Sequence, residues 1–165
     1  LSCRVQWQAL GLVGAHAGDA KRDVLPAAGP EPVDLWLVSV GVNDVTAPSR
    51  SNTWRRRLDA LLAELEGHSP DSVVVLLGVP PMGSFPLLPR PLRTLLGLRS
   101  AWFDRVGAQV AAGRGVVHAP YAPTLRPDQF SDDGYHPSPS GHRDIAADVA
   151  TRAAPLLRRR VAWDT

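Results

Sequence analysis

The sequence predicts an α/β domain in which a parallel sheet is covered by helices on both faces. Three observations carry that expectation. Apolar runs of strand length alternate with stretches of helical periodicity along the chain. Two of the runs, V-D-L-W-L-V-S-V (33–40) and S-V-V-V-L-L-G-V (72–79), are nearly unbroken, as in strands buried on both faces. Gly-rich and Pro-rich turns separate the elements, with no internal repeat and no linker that would split the chain.

Taken in order, R-V-Q-W-Q-A-L (4–10) alternates polar and apolar residues and reads as a half-buried strand. A turn around Gly14 follows, and Asp19 is placed to cap a short helix reaching about Leu25. The strand over 33–40 stops at G-V-N-D. Ser51 or Asn52 caps a helix in which Trp54, Leu58, Leu61, Leu62 and Leu65 recur at helical spacing, ending at Gly67. Arg55, Arg56 and Arg57 in this helix read as a solvated face rather than an anion site.

The strand over 72–79 leads into P-P-M-G-S-F-P-L-L-P-R-P-L, a connecting loop, and then a helix from about Leu92 to Ala112. G-V-V-H-A-P (115–120) is a short last strand. A final helix starts near Ser138 and carries Ile145, Val149, Ala153 and Leu156 on one stripe. Pro155 should kink or end it, because proline lacks the backbone donor and clashes with the preceding turn.

With 165 residues, 44% hydrophobic and 21% charged, the chain suits one globular domain and excludes a disordered or collagen-like protein. Eighteen Lys and Arg against 16 Asp and Glu are nearly balanced, so charge gives no support to nucleic-acid binding. Cys3 is the single cysteine, which excludes an internal disulfide and a Cys-based zinc site. No apolar run approaches the roughly 20 residues of a transmembrane helix. No leader is visible, which favours a soluble chain in the cytoplasm, although the chain begins at Leu1 and its only Met is Met82. Oligomeric state is not legible.

In open α/β sheets, ligands bind beyond the carboxyl ends of the strands. Gly14, the G-V-N-D segment and S-D-D-G-Y-H-P-S-P-S-G-H (131–142) all fall there. Asp133 and His136 are a candidate acid and base, because an imidazole accepts protons near neutral pH and a carboxylate on its other nitrogen fixes the tautomer. The Asn43 amide could face a developing oxyanion, worth on the order of 3 kcal/mol in a transition state. Gly14 would let a ligand approach a backbone N–H. Each feature alone is also ordinary turn chemistry. Asp132, Asp133, His136 and His142 together form a weaker candidate for a metal site of oxygen and imidazole ligands.

Gly14 in L-V-G-A, G-V-N-D at a strand end, D-G-Y-H-P and the following S-G-H together resemble the SGNH hydrolase family, the GDSL-type esterases and lipases. The resemblance runs from about Val5 to Leu157. It implies a three-layer α/β/α flavodoxin-like sandwich, hydrolysis of small-molecule acyl esters, and no metal or organic cofactor. It assigns His136 as general base, Asp133 as its orienting acid, and Asn43 and Gly14 as oxyanion donors.

The family's nucleophilic serine lies in a G-D-S motif after the first strand, and this chain contains no G-D-S. Ser2 opens the first apparent strand. Seven extended residues at roughly 3.3 Å each would hold it more than about 20 Å from the site, so it is a poor nucleophile. The family's first strand is therefore expected to be missing from an N-terminally incomplete domain. Such a loss would leave a gap inside the sheet, with unpaired groups costing about 1–3 kcal/mol each. The alternative is a noncatalytic, ligand-binding relative that has lost its serine.

Overall fold

The computed structural model describes residues 5–161. In chain order its elements are α1 (Ala17–Asp19), continued by helical turns to Ala28, β1 (Leu35–Val38), α2 (Val42–Thr46) and α3 (Ser51–His68). There follow β2 (Val73–Leu77), a short turn (Met82–Ser84), α4 (Leu92–Arg114), β3 (Val117–Ala119) and α5 (Pro139–Val161). The three strands form a parallel sheet in the order β1-β2-β3. Leu35 pairs with Val73, and Val75 pairs with Val117.

All five β2 residues are buried, as their unbroken apolar run requires. Alternation then sorts them. Val74 and Leu76 join Trp54, Leu58, Leu62 and Phe103 under α3 and α4, whereas Val73, Val75 and Leu77 meet Val149 and Ala153 of α5. Each such side chain contributes roughly 1.5–3 kcal/mol by leaving water. Helices on both faces of a parallel sheet are the predicted architecture. The predicted α3 stripe is also the buried one, and Trp54 adds a hydrogen bond from Nε1 to the Phe103 carbonyl at 3.0 Å.

Several expectations need correction. Residues 5–10 form no strand; they are irregular, and Val5 and Trp7 are 76% and 83% exposed. Alternation in so short a stretch cannot fold a strand that has no neighbour to pair with. The estimate of the reach from Ser2 loses its premise, and Ser2 itself lies outside the described residues. The sheet accordingly has no internal gap among the described residues; it ends in β1 as an edge. That edge also explains why β1 is not buried on both faces, with Leu37 51% exposed.

The remaining corrections are local. Asp19 caps α1 from inside its first turn, accepting the backbone N–H of His16, which is the residue at the cap position. Arg50 precedes α3, with Ser51 and Asn52 already helical, and the helix ends at His68 rather than Gly67. Finally, α5 runs through Pro155 to Val161. Leu156 and Leu157 just beyond the proline pack against the sheet, which offsets the one backbone bond it removes.

Candidate active site

The site begins where β1 ends. Gly41 has a φ of +117°, and a Cβ there would lie 2.8 Å from Val79 Cγ2 and 3.2 Å from the Trp54 ring. Only glycine meets both conditions, so the chain turns sharply and starts α2 against the core. A five-residue helix is not stable by itself. Arg99 of α4 supports it, donating to the carbonyls of Val45 at 2.6 Å, Ala47 at 2.9 Å and Ser49.

From this anchored turn, Asn43 and Asp44 reach back to the segment that carries Gly14. Asn43 Nδ2 donates to the Ala15 carbonyl at 3.0 Å, and Asp44 Oδ2 accepts the Ala17 N–H at 3.0 Å. An amide nitrogen carries two N–H groups, so Asn43 retains one for a ligand. Gly14 has a φ of +76° and makes no backbone hydrogen bond through its N–H among the described residues.

Asp44 is fully buried, and its Oδ1 has no hydrogen-bond partner among the described residues. Arg57 Nη1 stands 3.7 Å away. Burial pushes the Asp44 carboxyl above the usual carboxylate range, opposed by the Ala17 N–H and by the charges of His16 and Arg57. Sequence reasoning missed the pairing, reading Asp44 as part of a turn; Arg57 keeps the exposure of the solvated face expected for it, 42% at its side chain, and approaches Asp44 through Nη1.

The second half of the site is the turn before α5. Ser131 N–H bonds the His136 carbonyl at 2.8 Å, closing the loop. Inside it, Asp133 Oδ1 accepts the N–H groups of Tyr135 and His136 at 2.9 and 3.0 Å, while Oδ2 lies 2.6 Å from His136 Nδ1. The backbone N–H of His136, then its ring, then the N–H of Tyr135 hold the Asp133 carboxyl at about 2. An ionised carboxylate only accepts, so Nδ1 carries the hydrogen, and in the neutral ring Nε2 keeps the lone pair that a general base uses.

The adjacent serines are committed elsewhere. Ser138 Oγ and Ser140 Oγ both donate to the Asp128 carbonyl, at 2.6 and 2.7 Å, and Ser138 Oγ accepts the Gly141 N–H at 3.1 Å as α5 begins. His142 Nδ1 lies 3.0 Å from the Ser138 carbonyl, turned into its own helix. Among the described residues no three His, Cys, Asp or Glu side chains converge as metal ligands.

A cavity of about 960 Å³ joins the two halves. Gly14, Asn43 and His136 line it, with Met82, Phe85 and Leu96 among its apolar walls, and Asp133 stands behind the imidazole. This size and composition suit an organic ligand fixed by a few polar groups. The sequence-predicted residues are therefore brought to one place from three separate segments. The Pro-rich connection also contributes, since Pro80, Met82, Phe85 and Leu88 are cavity walls.

Solved structures of similar fold include the psychrotrophic esterase EstA from Pseudoalteromonas sp., with 17% identity, a TM-score of 0.63, and coverage of 88% of this chain and 74% of that one. TesA matches with 20% identity and a TM-score of 0.66 over 87% of this chain and 74% of its own. Axe2, an acetylxylan esterase from Geobacillus stearothermophilus, matches with 17% identity and a TM-score of 0.60 over 84% and 68%. No curated protein matches the chain in sequence. The family model described as GDSL-like Lipase/Acylhydrolase matches residues 2–143, the greater part of the chain, and the relatives include carboxylic ester hydrolases. The chain thus belongs to the GDSL-like lipase/acylhydrolase family, the SGNH hydrolases.

Proposed function

We propose that this chain carries the base and oxyanion half of a serine ester hydrolase acting on small acyl esters. The observation that carries the reading is the cavity shared by Gly14, Asn43 and His136, with Asp133 bonded to the far side of the imidazole. The nucleophile is a serine supplied by a segment outside these 165 residues, which contain no G-D-S. Its Oγ attacks the acyl carbonyl as His136 Nε2 takes the hydroxyl proton. The carbonyl oxygen gains negative charge and is met by the free Asn43 N–H and the Gly14 N–H. His136 then returns the proton to the leaving alcohol, and water, deprotonated by the same imidazole, releases the acid.

Asp133 contributes by orientation and charge. It holds Nδ1–H and stabilises the imidazolium formed at each proton transfer. The absence of G-D-S also motivates a second reading, a relative that binds esters without cleaving them. One assay separates the two. The product of the complete reading frame, offered p-nitrophenyl butyrate, should hydrolyse it, with His136→Ala and Asp133→Asn each lowering kcat by about 10²–10⁴-fold. No turnover would leave the binding reading in place of the catalytic one, and turnover indifferent to His136→Ala would overturn the role given to His136.

A further inference from the structure

The first half of α4 presents an apolar stripe to solvent. Leu95, Leu98 and Trp102 follow one another at helical spacing and are 62%, 70% and 51% exposed. Leu87, exposed on the connection that leads into the helix, and Leu92, exposed at its first position, extend the patch, and Leu92 also lines the cavity. Side chains of this size are rarely left together in water on a monomer, and such patches mark interaction surfaces.

The segment that carries the stripe is basic. No Asp or Glu occurs between Asp71 and Asp104, whereas Arg90, Arg93 and Arg99 all fall in that interval. Their charges are not neutralised. Arg93 donates to the carbonyls of Leu88 and Pro86, and Arg99 to those of Val45, Ala47 and Ser49, which are neutral partners. Arg90 is exposed. Arg105 continues the basic rim, with its guanidinium 6.0 Å from the Trp102 ring.

We infer that this face docks on an anionic phospholipid bilayer, with Leu95, Leu98 and Trp102 entering the headgroup boundary and the exposed Arg90 and Arg105 facing lipid phosphates. A helix with Leu and Trp exposed on one side beside cations, its Asp104 engaged by the Val79 N–H and His118, has the composition of an interfacial helix. Trp prefers the boundary because its ring is apolar and its N–H is polar. Since Leu92 belongs both to the patch and to the cavity wall, docking sets the cavity mouth against the lipid surface.

The test is sedimentation with sucrose-loaded vesicles, read without any catalytic step. The protein should partition at least about 10-fold more strongly to vesicles of equal phosphatidylglycerol and phosphatidylcholine than to phosphatidylcholine alone, and 0.5 M salt should reverse most of the difference. The triple variant Leu95→Ser, Leu98→Ser, Trp102→Ser should lose that partition. All three side chains are exposed and none lines the cavity, so in the product of the complete reading frame its circular dichroism and its hydrolysis of soluble p-nitrophenyl butyrate should match the parent. Equal partition of parent and variant, or none by either, overturns the inference. So does a dimer that the triple variant disperses, which would make a second copy of the chain the occupant. Absence of ester hydrolysis by the parent would refute the catalytic proposal and leave this one standing.

Discussion

Asp133 serves two purposes in the turn that carries His136, and both depend on its charge. One oxygen holds two backbone N–H groups and the other holds the imidazole. The ionised carboxylate is the better acceptor, so folding lowers its pKa from 3.8 to about 2. A depressed acid contributes its stabilisation above its unfolded pKa and loses it as pH falls through the folded one. The amide shifts of Tyr135 and His136 should therefore stay constant down to about pH 4 and titrate with a midpoint near 2. A midpoint near 3.8 in an NMR titration would mean that the turn does not hold Asp133, and Asp133→Asn should remove the titration. The Asp133–His136 pairing was legible because both partners lie within four residues, where a turn alone brings them together. Asp44 and Arg57 were not, because only the fold sets Arg57 of α3 beside the turn after β1.

Elements were legible where the chain itself supplies the reason for them. The periodicity of α3 and the unbroken run of β2 need only one face, or two, to be covered, and both are covered. Strand pairing is not a local property. Residues 5–10 alternate as a strand does yet pair with nothing among the described residues, and β1 has a strand's composition but an edge strand's exposure. The failure at Pro155 has the same origin. A local rule ended α5 there, whereas Ile145, Val149, Ala153, Leu156 and Leu157 hold the helix on Val73, Val75, Leu77 and Ala119 from both sides of the proline. If tertiary packing overrides a local penalty of up to about 3 kcal/mol, removing the penalty should be visible. Pro155→Ala restores the missing donor and should stabilise the protein by about 1–3 kcal/mol. That corresponds to a rise in Tm of roughly 2–10 °C, read by calorimetry. An unchanged or lower Tm would show that α5 already bends around Pro155 at no cost.

The cavity belongs to no single element, since its walls come from the Gly14 segment, the turn into α2, the Pro-rich connection, α4 and the start of α5. A ligand that fills it contacts all of these segments at once, so binding should stabilise the folded state as a unit. The acid product of ester hydrolysis is the simplest such ligand. Octanoate would place its chain against Met82, Phe85 and Leu96 and its carboxylate near the Asn43 amide and the Gly14 N–H, where the oxyanion of the proposed reaction forms. At 100 times its Kd a ligand adds about 2.7 kcal/mol, or roughly 5–10 °C in Tm for a chain of this length. Asn43→Asp tests the polar end separately. It keeps size and shape but exchanges an N–H donor for a negative charge facing the ligand's own, and should weaken octanoate at least about 10-fold while leaving the binding of octanol, which has no charge, within about 3-fold. Equal loss for both ligands would mean that the substitution had disturbed the turn rather than the oxyanion position, because Asn43 also holds the Ala15 carbonyl. No shift with either ligand at millimolar concentration would remove the cavity as the acyl site.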